Sequence, residues 1–238
     1  MQTAPGLRVR GLSRRYGGFE ALQDLALEIA PGECVTIVGH NGSGKTTAVR
    51  TIAGLLEPSA GSVEVAGASV HEEPDGIEAR AAMAIVPDTP ALYPDLTVRE
   101  HLELVAVAHG VADADLDARI DQLLTRLGLD GKRDARPGAL SRGMRQKVGL
   151  GCALIRPHRL PVLDEPVVGL DPASQQTLRE LLLEAKAAGV AVMFTTHQLA
   201  FARGIADRAL VLADGVVVAE GPYDEVIDGD AGDRLGLP

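Results

Sequence analysis

Gly39-His40-Asn41-Gly42-Ser43-Gly44-Lys45-Thr46 fits the pattern G-x-x-x-x-G-K-[ST] at every fixed position. Glycines let a backbone curl so that several N–H groups point at one anion, and the N-terminus of a following helix adds its positive end. From such a loop Lys45 reaches the outer phosphates of a nucleotide, and the Thr46 hydroxyl can ligate Mg²⁺. The pattern has this meaning only between a strand and a helix. Cys34-Val-Thr-Ile-Val38 reads as a short buried strand, and Thr47-Ala-Val-Arg-Thr-Ile-Ala53 reads as a helix. An ordinary glycine-rich turn is the competing reading, and the strand–loop–helix context disfavours it. The residues predict a nucleoside-triphosphate site.

A second cluster lies far along the chain. Leu160-Pro-Val-Leu163 is an apolar run that ends in Asp164-Glu165. A buried strand that delivers an Asp beside a phosphate loop provides a grip on Mg²⁺. The adjacent Glu165 is then placed to take a proton from an attacking water. Leu140-Ser141-Arg142-Gly143-Met144-Arg145-Gln146 lies just upstream, and Gly169-Leu170-Asp171 just downstream. Thr195-Thr196-His197 closes another apolar run.

This ordered set resembles the ATPase subunit of ATP-binding-cassette (ABC) transporters, over nearly the whole chain. The segment that begins Leu140-Ser141 is the most family-specific part, because phosphate-loop proteins in general lack it. The resemblance implies an ATPase with ATP and Mg²⁺ as cofactors, working as a homodimer or heterodimer of ATPase subunits. In that arrangement each ATP is held by the phosphate loop of one chain, Gly39 to Thr46 with Thr47, and by the signature of the other. Ser141 and Gly143 would then bind the γ-phosphate in trans, although Ser141 can equally be a helix N-cap without a ligand. Glu165 is implied as general base, with Lys45 at the phosphates and His197 contacting the γ-phosphate and holding the base. Thr46, Asp164 and Asp88 are the implied Mg²⁺ ligands. The family stacks an aromatic on adenine at the position of Tyr16; a turn tyrosine edged by solvent is the alternative. Asp171 is implied at the dimer interface, and a helix-capping role would also account for it.

The chain departs from the family pattern at several positions. Asp88 stands where Gln is usual after the strand Ala84-Ile85-Val86, in a role that ligates the metal and links the site to the membrane subunit. Arg142 and Met144 replace Gly and Gln in the signature, and His40 replaces a common Pro in the phosphate loop. Pro161 in a central strand removes a ladder hydrogen bond, which predicts a bulge or a ladder gap.

The bulk properties fit a well-packed globular chain. Of its 238 residues 46% are apolar and 24% charged, enough for a full core. No apolar run approaches the roughly 18–20 residues that span a bilayer, and Met1-Gln-Thr-Ala-Pro-Gly has no secretory signal pattern. The expected location is therefore cytoplasmic, peripheral on the membrane's inner face through integral-membrane permease subunits. A net charge of −10 argues against nucleic acid, which needs a basic face. Cys34 and Cys152 read as packed residues rather than a disulfide or metal pair.

The elements that must position these residues are legible from periodicity. Leu7-Arg-Val-Arg10, Asp24 to Ile29 and Gly61 to Val65 alternate apolar with other residues, as half-buried strands of a small antiparallel sheet do. Thr97-Val-Arg-Glu100 matches a capping box and opens a helix that runs to Gly110. Leu116, Ile120, Leu123 and Leu127 repeat at helical spacing, with Gly128 as the stop. Asp171-Pro172 caps a helix whose stripe is Leu178, Leu181, Leu182 and Ala185. Val190 to Phe194 and Ala209 to Leu212 read as buried strands, and Asp214-Gly215 as a hairpin turn.

The predicted architecture is α/β: a P-loop NTPase core with a mainly parallel sheet, a small N-terminal antiparallel β subdomain and an inserted helical subdomain. The chain reads as one ABC ATPase domain over 1–238. The core covers about 1–90 and 159–221, the helical signature subdomain about 91–158, and a tail about 222–238. The resemblance favours an ATP-hydrolysing transporter subunit of the exporter type. A soluble ABC ATPase not tied to transport is the alternative, but such proteins carry long insertions or two cassettes in tandem.

Overall fold

A computed structural model describes residues 5–111 and 116–229. The chain opens with two long strands, β1 (Leu7–Tyr16) and β2 (Phe19–Ile29), before the short β3 (Cys34–Val38). Helix α1 (Lys45–Ile52) follows the glycine loop directly. Strands β4 (Ala60–Val65) and β5 (Ala68–Ser69) complete a four-stranded antiparallel sheet of order β2-β1-β4-β5. Its alternating residues Leu7, Val9, Leu25, Leu27, Val63 and Val65 are buried, as the period of two requires.

Helix α2 (Asp75–Ala81) leads into β6 (Met83–Val86). The helical block then comprises α3 (Val98–Ala108), α4 (Leu116–Arg126), two 3₁₀ turns and α5 (Arg142–Leu154). The capping box is complete: the Thr97 hydroxyl accepts from the Glu100 N–H, and the Glu100 carboxylate accepts from the Thr97 N–H at 2.7 Å. Helix α3 ends at Ala108, two residues before the expected Gly110, and Gly110 takes a left-handed φ of 71° just past it. The core resumes with β7 (Leu160–Leu163), α6 (Pro172–Ala187), β8 (Val192–Thr196) and the one-turn α7 (Leu199–Ala202). The hairpin β9 (Arg208–Ala213) and β10 (Val216–Pro222) and the short α8 (Tyr223–Ile227) finish it.

The second sheet has the order β10-β9-β3-β8-β7-β6, parallel except for β10. Every residue of β3, β7 and β8 is buried, so these strands are continuous apolar runs rather than alternating ones. One apolar cluster fills the space between the two sheets and α1. The other lies between the parallel sheet, α6 and the helical block. Cys34 is fully buried and Cys152 partly so, and burial pushes each thiol up to about 12, which suits inert packing.

Pro161 makes no bulge. Leu160 and Asp164 both donate toward the β6 side, to Ala82 and Val86, so by alternation the missing N–H of Pro161 faces β8. Pairing with β8 begins only at Val162, opposite Met193. The ladder on that side starts one residue after the proline, and no donor is lost from it.

Candidate active site

Four neighbouring strands, β3, β8, β7 and β6, end on the same edge of the parallel sheet. Their C-terminal ends carry the glycine loop, His197, Asp164-Glu165 and Asp88 in turn. Residues remote in sequence are thus gathered at the crevice beyond the strand ends, where open α/β sheets bind ligands.

The loop is shaped by close backbone approach. Gly44 has φ 106°, and a Cβ there would meet the Ala21 carbonyl oxygen at 2.6 Å. Helix α1 begins at Lys45 with no side-chain cap and no acidic residue in its first turn. Its leading N–H groups and positive end are therefore left for an external anion. The Lys45 ammonium, only 6% exposed, donates to the carbonyls of Gly39 at 2.7 Å and His40 at 3.1 Å. The Ser43 hydroxyl is buried without a hydrogen-bond partner, while His40, Asn41 and Gly42 stand exposed at the rim. Gly42, Gly44, Lys45, Thr46 and Thr47 line a cavity of about 200 Å³. Larger clefts of about 390 and 450 Å³ lie at the opposite edge of the sheet, beside His158 and Arg159. They hold neither a phosphate loop nor paired carboxylates, so chemistry rather than size selects the site.

The carboxylates are tightly engaged. Thr195 Oγ donates to Asp164 at 2.7 Å and accepts from the Glu165 N–H at 3.0 Å, which ties the end of β7 to β8. Glu165 itself sits at φ 47°, a left-handed conformation that costs a non-glycine residue about 1 kcal/mol or more and persists where its surroundings hold it. One carboxylate oxygen, Oε2, lies 2.9 Å from His197 Nδ1 and accepts from the His197 N–H at 3.2 Å. The other, Oε1, is 3.5 Å from Lys45 Nζ. Burial pushes the Asp164 carboxyl up; hydrogen bonds from Thr195 and Thr46 pull it back, and the charges of Asp88 and Glu165 push it up again.

Among the described residues no three His, Cys, Asp or Glu side chains gather as a metal cage. The donors here are the Thr46 hydroxyl, bonded to Asp164, and the carboxylates of Asp164 and Asp88 near one another. Such an oxygen set fits Mg²⁺, which keeps waters and takes phosphate oxygens for the rest of its shell.

Not every predicted residue joins this centre. Ser141 caps α5, accepting from the Met144 N–H at 3.2 Å, and neither it nor Gly143 lines the phosphate-loop cavity. A Cβ on Gly143 would meet the Gly169 carbonyl oxygen at 2.3 Å, so the signature helix packs against the chain's own Gly169-Leu170-Asp171 segment. Asp171 caps α6 through Ser174, and the Lys147 ammonium lies 3.9 Å away. Tyr16 stands half-exposed with the Arg14 guanidinium 4.7 Å from its ring centre. Thr195 had no role assigned from sequence; the signal was there, a hydroxyl ending a strand whose neighbour ends in carboxylates.

The family model for ABC transporters matches residues 22–168. The ABC-type transporter ATP-binding protein EcsA of Bacillus subtilis is 36% identical, over 92% of this chain and 88% of its own. The SkfA peptide export ATP-binding protein SkfE, also of Bacillus subtilis, is 34% identical over 90% and 88%. A solved ATP-binding subunit of an ABC transporter superposes with a TM-score of 0.87 at 35% identity, over 96% of this chain and 97% of that one. With the phosphate loop, the paired carboxylates and the histidine at one strand edge, the chain belongs to the ABC transporter family as an ATP-binding subunit, a transport ATPase.

Proposed function

We propose that this chain is the ATP-hydrolysing motor of an exporter-type transporter, driving separate integral-membrane permease subunits. The observation that carries the hydrolytic part is Glu165, a buried carboxylate held by His197 on one oxygen and facing Lys45 with the other. The outer phosphates of ATP lie in the Gly39–Thr46 loop, where Lys45 turns from the loop carbonyls to the β- and γ-phosphate oxygens. Thr46, Asp164 and Asp88 hold Mg²⁺, which when bound neutralises charge on the phosphates. A water between Glu165 and the γ-phosphate gives its proton to Glu165 as its oxygen bonds to phosphorus. The bond from that phosphorus to the β–γ bridging oxygen breaks, and ADP departs with the electron pair. His197 keeps Glu165 in line through Nδ1, which leaves Nε2 to meet the γ-phosphate.

Ser141 and Gly143 serve the nucleotide of a second ATPase subunit, identical or related. Their separation from the phosphate-loop cavity of the same chain supports this. A groove of about 210 Å³ beside Asp88, lined by Pro87, Pro90, Leu92, Tyr93 and Leu104, supports the permease contact. Tyr93, Leu104 and Val107 are large apolar side chains left exposed there. No described helix is long and apolar enough to cross a membrane, so the chain would sit on the cytoplasmic face through that contact. The export direction is supported by the name of SkfE and by the Met-Arg-Gln signature.

The test is to isolate the tagged chain from detergent-solubilised membranes with Mg²⁺ and ATP. A polytopic membrane protein should co-purify in a fixed ratio. Recovery with ribosomes or other soluble assemblies alone would overturn the transport reading.

A further inference from the structure

Phe19 is an aromatic residue for which packing gives no account. It is 66% exposed on β2 and takes part in no ring contact among the described residues. Yet its position is closely fixed. Gly17-Gly18 closes the turn between β1 and β2, and Phe19 pairs directly with Tyr16, so both side chains leave the same face of the ribbon. Two residues on, Ala21 shares that face by the strand's period of two. The Ala21 carbonyl is the atom against which Gly44 is packed too closely for a Cβ. The spacing from Phe19 to the phosphate loop is thus set by backbone against backbone. As a result Phe19 and Ala21 wall the same cavity as Gly42, Lys45, Thr46 and Thr47. Tyr16 does not line that cavity, and the Arg14 guanidinium sits over its ring.

We propose that Phe19 is a second nucleoside contact, packing against the sugar and base of the nucleotide whose phosphates occupy the Gly39–Thr46 loop. This rests on the ATP site described above. A nucleotide with its phosphates at Lys45 and Thr46 carries an apolar, flat portion that must leave the loop through the cavity mouth. An aromatic ring standing there gains apolar burial and dispersion that solvent does not provide. Base or sugar contact of this kind tolerates different bases, since it reads a π-face and not a hydrogen-bond pattern.

The experiment compares Mg²⁺-ATP with Mg²⁺-tripolyphosphate, which shares the phosphate contacts and lacks the nucleoside. Titration calorimetry on wild type, Phe19→Ala, Phe19→Tyr and Lys45→Ala gives the affinities. Phe19→Ala should weaken ATP about tenfold, within the range for loss of one aromatic–base contact. It should leave tripolyphosphate unchanged, and Phe19→Tyr should restore ATP binding. The chain has no tryptophan, so Phe19→Trp introduces a single reporter whose emission should change with ATP and not with tripolyphosphate. Wild-type ATP affinity in Phe19→Ala, or equal weakening of both ligands, overturns the proposal while Lys45→Ala still abolishes binding. Wild-type ATP affinity in Lys45→Ala would overturn the phosphate-loop reading, and this proposal with it.

Discussion

Lys45 shows how much of the site is electrostatics arranged in advance. Its ammonium is buried among two carbonyls and the Glu165 carboxylate, a position few lysines accept without a function. No other cation is recorded in contact with Glu165 apart from the His197 ring. Lys45→Ala should therefore lower ATP hydrolysis by about 100-fold or more, in the range seen when one preorganised charge-stabilising donor is removed. Phosphate release measured at saturating Mg²⁺-ATP checks this, and an unchanged rate would sink the phosphate-loop assignment. Asp88 is subtler, because its charge is one of the influences that raise Asp164. Asp88→Gln keeps an oxygen ligand and should retain Mg²⁺-dependent turnover. Asp88→Ala should weaken the dependence on Mg²⁺ and, more visibly, the stimulation by a permease. Equal basal and stimulated rates in wild type and Asp88→Ala would reduce Asp88 to a turn residue between Pro87 and Pro90.

The elements divide into those with local causes and those with remote ones. The capping box at Thr97, the Asp171 N-cap and the Asp214-Gly215 hairpin were legible because each signal lies within four residues of its effect. The strand–loop–helix at residues 34–52 was legible for the same reason. Phe19 gave no signal, since its exposure and its distance from Lys45 depend on how β2 abuts the phosphate loop. Pro161 was read as a disturbance because the start of the β7–β8 ladder is a tertiary fact. Gly143 is the clearest case. In sequence it is one position of a motif, whereas in the fold it is the place where α5 meets the Gly169 carbonyl at a distance that excludes a Cβ. Both atoms in that contact belong to backbone, so neither can swing away. Gly143→Ala should cost about 1–3 kcal/mol, as for other overpacked sites, and lower the melting temperature by several degrees. Because Gly169 leads into Asp171, the same change should disturb the α6 cap. Thermal unfolding followed by circular dichroism tests it; an unaltered melting temperature would mean that the helix and the Gly169 segment are free to separate.

At the scale of the molecule, each chain divides its chemistry between two surfaces. The phosphate loop, Asp164, Glu165 and His197 share one strand edge, while Ser141 and Gly143 head α5 away from that cavity. Arg142 and Arg145, in the opening turns of the same helix, are exposed with no recorded acidic partner. Positive side chains at a helix N-terminus are unfavourable against the helix dipole. A polyanion carried by a second chain would relieve that arrangement, whereas two chains of net charge −10 would otherwise repel. Association should then depend on bound triphosphate, and on its survival. Glu165→Gln keeps the shape and most hydrogen bonds of the side chain but cannot accept the proton from water. With Mg²⁺-ATP this variant should form a lasting dimer, while wild type returns to monomer as it hydrolyses the nucleotide. With ADP both should remain monomeric. Multi-angle light scattering at matched ionic strength distinguishes these states, and raised salt should weaken the dimer if phosphate–arginine contacts contribute. A Glu165→Gln variant that binds ATP yet stays monomeric, alone and with its permease present, would sink the placement of Ser141 and Gly143 on a partner's nucleotide.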